Sequence, residues 1–264
     1  PQTGDNEYIS GAKRRNQKAV EFVTGSTRIV YTVSAMNDVK VRMNVPYGTD
    51  KTLDIYYPPD FDFKEGLPVV VISISISGLR AKDMGRIIDW GLLLAAHGVV
   101  AVAYEPRYAE QDLPTVLEYL ADHSDELGID DTRIGIMGHC GACWLGAHAM
   151  TMKEKSYYEG LRLGAFLYGQ VAWSEDIAPE ASILLVKPGR QVTDEVKGSI
   201  DTFTECCRAS GRNIRLIDYT EGSIAFDVTE DPRQEWEYVT NERYAADRKM
   251  VQEVLEFILQ EMGV

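Results

Sequence analysis

Apolar positions along the chain fall into short unbroken or alternating runs and longer stretches with a period near 3.6 residues. The first kind reads as strands, the second as amphipathic helices. Residues 52–57 (TLDIYY) alternate and stop at Pro58-Pro59, as an edge strand does. Residues 68–77 (PVVVISISIS) start as the continuous run of a buried parallel strand. They then alternate, so that Ser73, Ser75 and Ser77 share one face, either under a helix or towards a pocket. Residues 83–96 predict a helix closed by His97-Gly98, and 99–104 (VVAVAY) a second buried strand. Residues 112–127 predict a helix with Pro114 in its first turn. Strands are expected at 133–137, 163–168, 183–186 and 214–219. Helices are expected over 193–210 and 245–262, and a turn running into a helix over 138–150. Alternation of this kind predicts an α/β chain with a parallel sheet and helices on both faces. Its chemistry belongs at the carboxyl ends of the strands. Residues 1–35 have no clear pattern and read as an N-terminal arm or edge segment before a domain spanning 36–264.

Composition narrows the function. The 264 residues are 45% hydrophobic and 26% charged, enough to bury a core without a disulfide or metal staple. Lys and Arg number 27 against 41 Asp and Glu, for a net charge of −14. This argues against nucleic acid and against an anionic membrane surface as partners. No apolar run approaches the roughly 18 residues of a membrane-spanning helix. The first residues are polar, without the apolar core of a signal peptide. Together with the free-thiol pattern below, this leads to the expectation of a cytoplasmic chain, and the start at Pro1 reads as a processed one.

The four cysteines are Cys140, Cys143, Cys206 and Cys207. Cys140 and Cys143 have CxxC spacing, which raises redox and zinc readings. A zinc site needs more ligands, and neither a second CxxC nor an HxxxH is present. Cys206 and Cys207 read as small, partly buried helix residues. No strand is followed by a GxGxxG fingerprint, so no dinucleotide is expected, nor any other cofactor or metal.

The strongest signal is Gly138-His139-Cys140-Gly141-Ala142, between a predicted strand and a predicted helix. This is the pattern of a nucleophile elbow. A sharp turn lifts the middle side chain above the sheet, and small residues two positions either side let strand and helix close in. The Gly141 N–H points where an oxyanion forms, and the helix N-terminus favours a thiolate. The plainer reading is a tight turn holding an inert cysteine.

With these residues in view, the chain resembles the α/β-hydrolase superfamily, and within it the dienelactone hydrolase-like and dipeptidyl-peptidase-like esterases. The resemblance covers about residues 50–264. It rests on PVVVISISISG, DWGLLLAAHGVVAVAYE, RIGIMGHCGA, ILLVKPGR, SIDTF and EGSIAFDV. It implies an α/β-hydrolase fold with a mostly parallel sheet, Cys140 as nucleophile, and a second oxyanion donor from Ser77, Gly78 or Leu79. It also implies a small ester or acyl ligand. Two departures stand out: Gln191 occupies the place of the family's acid, and Ile224 that of its histidine. An amide does not stabilise an imidazolium as a carboxylate does, and Ile moves no proton. A redesigned site or a natural inactive relative would both show this pattern.

His97, His123, His139 and His148 are the only histidines. His97 belongs at the wrong end of the sheet, and His123 on a solvated helix face. His148 lies eight residues beyond Cys140 on the same helix, roughly 12 Å along its axis. His139 adjoins Cys140 and is either the base of a Cys–His dyad or a packing residue. Glu105, at a strand end, reads as a base or as a partner of Arg107. Tyr168 is a pocket candidate or core residue, Asp227 a loop cap, and Lys187 a solvated strand-end lysine or a desolvated amine for Schiff-base chemistry. The expectation is therefore an ester hydrolase or acyl-transfer enzyme, weakened by its incomplete triad. An inactive scaffold or a pocket altered for other chemistry competes with it.

Overall fold

The computed structural model describes residues 8–17, 28–64, 66–75, 81–229 and 244–264. Nine strands form one sheet: β1 (Ile9–Ser10), β2 (Lys40–Gly48), β3 (Lys51–Tyr57), β4 (Leu67–Ser73), β5 (Val100–Tyr104), β6 (Ile129–His139), β7 (Leu161–Leu167), β8 (Ser182–Arg190) and β9 (Ile214–Ser223). Their order is β1-β2-β3-β5-β4-β6-β7-β8-β9. From β5 to β9 all pairings are parallel, with β4 between β5 and β6. The β1–β2, β2–β3 and β3–β5 pairs are antiparallel.

The sheet is thus mostly parallel, as expected, with its antiparallel pairs gathered at one end. β2 gives no continuous apolar run because its exposure alternates, and it shifts register twice against β3. The central strands read clearly because both their faces are covered. Val69 to Ile72 and Val100 to Tyr104 are fully buried.

The helices are α1 (Gly11–Asn16), α2 (Gly85–Ala96), α3 (Ala109–Asp122), α4 (Ser124–Leu127), α5 (Ala142–Ala149), α6 (Asp194–Ala209) and α7 (Ala245–Met262). The stretch expected as one helix over 112–127 is two, broken at His123, which caps α3 and precedes α4. The reach of β4 also differs from expectation. It ends at Ser73, so Ser75 lies beyond the strand, and Ser77 falls outside the described residues.

The described part of the N-terminal segment is joined to the domain. β1 extends the sheet edge, and Ile29 bridges Val228. Arg14 is buried, with Nη2 2.9 Å from Asp54 and 2.7 Å from Asp83. No helix among the described residues is long and apolar enough to cross a membrane.

Candidate active site

Six candidate positions converge because parallel strands end at the same edge. Ser75 follows β4, Glu105 β5, Cys140 β6, Tyr168 β7, Gln191 β8 and Ile224 β9. Three of them, Cys140, Tyr168 and Gln191, have φ of 52°, 48° and 59°. L-residues rarely adopt such values, and clustering of strained backbone marks places where geometry is held by its surroundings.

Cys140 is exposed, and its backbone is fixed from both sides. Its N–H donates to Leu167 O at 3.1 Å, and its carbonyl accepts from Cys143 N at 3.1 Å, opening α5. The small neighbours are required. A Cβ on Gly138 would stand 2.9 Å from Ala142 O, and one on Gly169 would stand 1.9 Å from Cys140 O. Cys143 faces inward, its thiol donating to Gly138 O and Leu167 O at 3.3 Å each, and burial pushes its pKa up. It is a packed thiol under the turn. Among the described residues no group of His, Cys, Asp and Glu has the makings of a metal site.

His139 points into the protein. Its ring packs 5.9 Å from both Trp90 and Tyr168, and Nε2 lies 3.5 Å from Asp227 Oδ2. Neither ring nitrogen makes a hydrogen bond among the described residues. Burial lowers its pKa to about 4; Asp227 opposes that shift and Arg86 adds to it. At neutral pH the ring is uncharged.

Asp227 is a hub rather than the expected loop cap. Its carboxylate accepts from Trp90 Nε1 at 2.8 Å and from the Tyr168 hydroxyl at 2.7 Å. Tyr168 is accordingly a buried member of this network, and burial raises its pKa well above the usual phenol value. Its hydroxyl also accepts from Arg86 Nη1 at 3.2 Å. Burial works against the Arg86 charge, but Tyr168, Asp227 and Cys140 outweigh it and hold the guanidinium charged. Arg86 thus stands within electrostatic reach of the elbow. No motif in the sequence singles it out.

Gln191 and Ile224 line one cavity of about 330 Å³, together with Arg86 and Arg190. An amide and an alkyl chain thus meet at this cavity. Gly141 and Ser75 meet in a second cleft of about 420 Å³ beside the elbow. Ser77, Gly78 and Leu79 lie outside the described residues.

The remaining candidates lie elsewhere, and the expected Glu105–Arg107 pair is corrected. Arg107 donates to Asp50 O, while the Glu105 carbonyl accepts from the Tyr47 hydroxyl; no Glu105–Arg107 pair is recorded among the described residues. Lys187 is paired with Asp201 at 2.7 Å and Asp218 at 3.2 Å, and the Asp201 hydrogen bond leads the effects that raise its pKa. It is a held cation, not a desolvated amine. His148 stacks on Trp144, and His97 and His123 bond to carbonyls of their own helix.

The strand order, the elbow after β6 and the convergence of strand ends define an α/β-hydrolase fold. Solved structures agree. The esterase Est2 of the Planctomycetes species Thermogutta terrifontis superposes with a TM-score of 0.63 at 15% identity, over 85% of this chain and 93% of that one. A putative dienelactone hydrolase from Klebsiella pneumoniae superposes with a TM-score of 0.62 at 16% identity, over 86% and 99%. At such identities the likeness establishes the fold. In sequence, the chain is 32% identical over 111 residues to the uncharacterized protein YcjY of Escherichia coli K12. That match covers 36% of this chain and about a third (34%) of YcjY. No protein-family model matches the chain.

Proposed function

We propose that the protein is an ester hydrolase or acyl-transfer enzyme with Cys140 as nucleophile. The observation that carries this reading is an exposed cysteine at φ 52° on a strand–turn–helix elbow. A thiol needs less activation than a hydroxyl, since a few per cent is thiolate at neutral pH. The start of α5 adds positive potential.

The Cys140 thiolate, its proton given up to solvent, attacks the ester carbonyl; the C–S bond forms, the C–O bond to the alcohol breaks, and the departing alkoxide takes a proton from water. The Gly141 N–H donates to the developing oxyanion. Deacylation needs a base to activate water. Gln191 and Ile224 cannot serve, and His139 is buried, turned to Asp227 and, with its pKa lowered to about 4 by burial, a weak base. We therefore assign His139 a supporting role under the elbow. The expected kinetics are a burst of acylation followed by slow turnover. Est2 has been solved with propionate and with butyrate bound, which supports a short acyl group as the first to try.

The test is intact-protein mass spectrometry after mixing with 4-nitrophenyl acetate. One acetyl adduct mapped to Cys140 and absent from Cys140→Ala is the expected result. A folded protein with no adduct would overturn the reading in favour of an inactive scaffold.

A further inference from the structure

The cleft beside the elbow is lined by Ser75, Arg107, Tyr108, Gly141, Trp144 and Leu145, with residues of the first turn of α3 at its rim. Exposed large apolar side chains are few among the described residues, and two of them, Tyr108 at 66% and Trp144 at 36%, stand on this cleft. Most aromatic side chains elsewhere among the described residues are buried, so two exposed rings lining one space next to Cys140 call for a ligand.

The Tyr108 backbone and the Trp144 ring are held. Tyr108 sits in a turn pinned by the buried Asp112 carboxylate, which accepts from Arg107 N at 2.5 Å and Tyr108 N at 2.8 Å. Asp112 is itself paired with Lys51. Trp144, in the first turn of α5, is backed by His148, whose ring lies 5.3 Å away and within 12° of parallel. A ring entering the cleft would therefore meet a Trp144 face already backed from behind, with Tyr108 carried on a pinned turn opposite, which lowers the entropy lost on binding.

We propose that this cleft is a subsite for an aromatic ring, so that the preferred substrates are esters carrying an aryl group. Gly141 belongs both to the cleft and to the elbow, so a ring lodged there is one short linker from the Cys140 thiol. Packing between Tyr108 and Trp144 discriminates an aryl group from a saturated ring of the same size by about three- to tenfold. The ring belongs either to the acyl or to the alcohol part of the ester. The assignment rests on the Cys140 reading only for the bond that is cut; ring binding does not need turnover.

The experiment is saturation-transfer NMR on the whole chain with four probes. Phenylacetate and 3-phenylpropan-1-ol represent the acyl and alcohol sides, and cyclohexylacetate and 3-cyclohexylpropan-1-ol are their saturated controls. At least one aryl probe is expected to bind about three- to tenfold more tightly than its control, and the stronger of the two tells which side of the ester carries the ring. Tyr108→Ala and Trp144→Ala should each abolish most of that preference, while Tyr108→Phe keeps it. Both side chains are exposed, and circular dichroism checks that the variants fold. Equal binding of aryl and saturated probes, or a preference that survives both alanine variants, would overturn the proposal. Retained aryl preference without any Cys140 adduct would leave this subsite standing while the esterase reading failed.

Discussion

Two buried polar clusters lie near the active edge, and they are built on opposite plans. The first joins the N-terminal segment to β2, β3 and the turn before α2. There Arg14 pairs with Asp54 and Asp83, and Lys82 reaches Asp54 at 2.7 Å and Asn44 at 2.6 Å. Two cations meet two anions. The second cluster, under the elbow, holds the Asp227 carboxylate with neutral donors from Tyr168 and Trp90. Its cation, Arg86, stands one hydrogen bond further out, and its histidine is left uncharged. The first plan fastens chain segments together. The second keeps a charge and a neutral imidazole beneath the turn that carries Cys140 without cancelling them, and perturbed buried groups of that kind cluster at functional sites.

The comparison can be broken most forcefully at Asp54. Asp54→Ala removes the shared acceptor of Arg14 and Lys82 and leaves two cations buried without it. Losing one partner of a buried ion pair costs about 3–5 kcal/mol. Asp227→Asn keeps an acceptor oxygen for Tyr168 or Trp90 and should cost about 1–3 kcal/mol. Urea unfolding of both variants measures the difference. Equal losses would show that the two clusters are the same kind of fastening.

His139 offers the next effect. Its folded pKa is about 4 against 6.5 for the free side chain. Above pH 6.5 the ring is neutral in both states and contributes no pH dependence. Between pH 6.5 and 4 the unfolded chain binds a proton that the folded chain refuses, so stability falls as the pH falls. The loss reaches on the order of 3 kcal/mol near pH 4. Burial sets this shift, Asp227 opposes it and Arg86 adds to it, while the neutral Tyr168 and Trp90 rings pack on the imidazole. Because carboxylates elsewhere also titrate, the measurement is the stability of wild type minus that of His139→Phe at pH 8 and at pH 5. A difference that grows against the wild type at pH 5 is expected; a constant one would place the proton elsewhere.

These clusters also mark where sequence reading stops. The central strands and the elbow were legible because both follow from local rules. Buried parallel strands are continuously apolar, and an elbow needs small residues at fixed offsets from its nucleophile, as Gly138 and Ala142 supply. The family resemblance brought Gln191 and Ile224 to one place, and the fold puts them on one cavity. Arg86, Trp90 and the hub role of Asp227 were not legible. Their contacts join residues 59 to 137 positions apart, and no spacing rule connects α2 to the turn after β9. Tyr108 and Trp144 were missed for the converse reason. An exposed aromatic beside a helix start looks ordinary in sequence, and only the fold shows the two lining one cleft.

The smallest predicted effect separates the elbow's strain from the chemistry it serves. Cys140 holds φ 52°, a region where a Cβ is disfavoured and glycine is at ease. Its side chain is exposed, so removing it forfeits little burial. Cys140→Ala deletes the thiol but keeps the Cβ, while Cys140→Gly deletes both. Glycine also makes the unfolded chain more flexible, which offsets part of the gain. The glycine variant should therefore be the more stable of the two by about 0.5–1 kcal/mol, and neither should form an acyl adduct. Thermal and urea unfolding of the pair resolve this difference, since both lack the thiol. A more stable alanine variant would mean that the turn relaxes when the cysteine goes, and that the positive φ belongs to the side chain rather than to the strand and helix that close on it. A more stable glycine variant would show that β6, α5 and the Leu167 carbonyl impose the conformation, and that the elbow is held in place whatever residue stands at its tip.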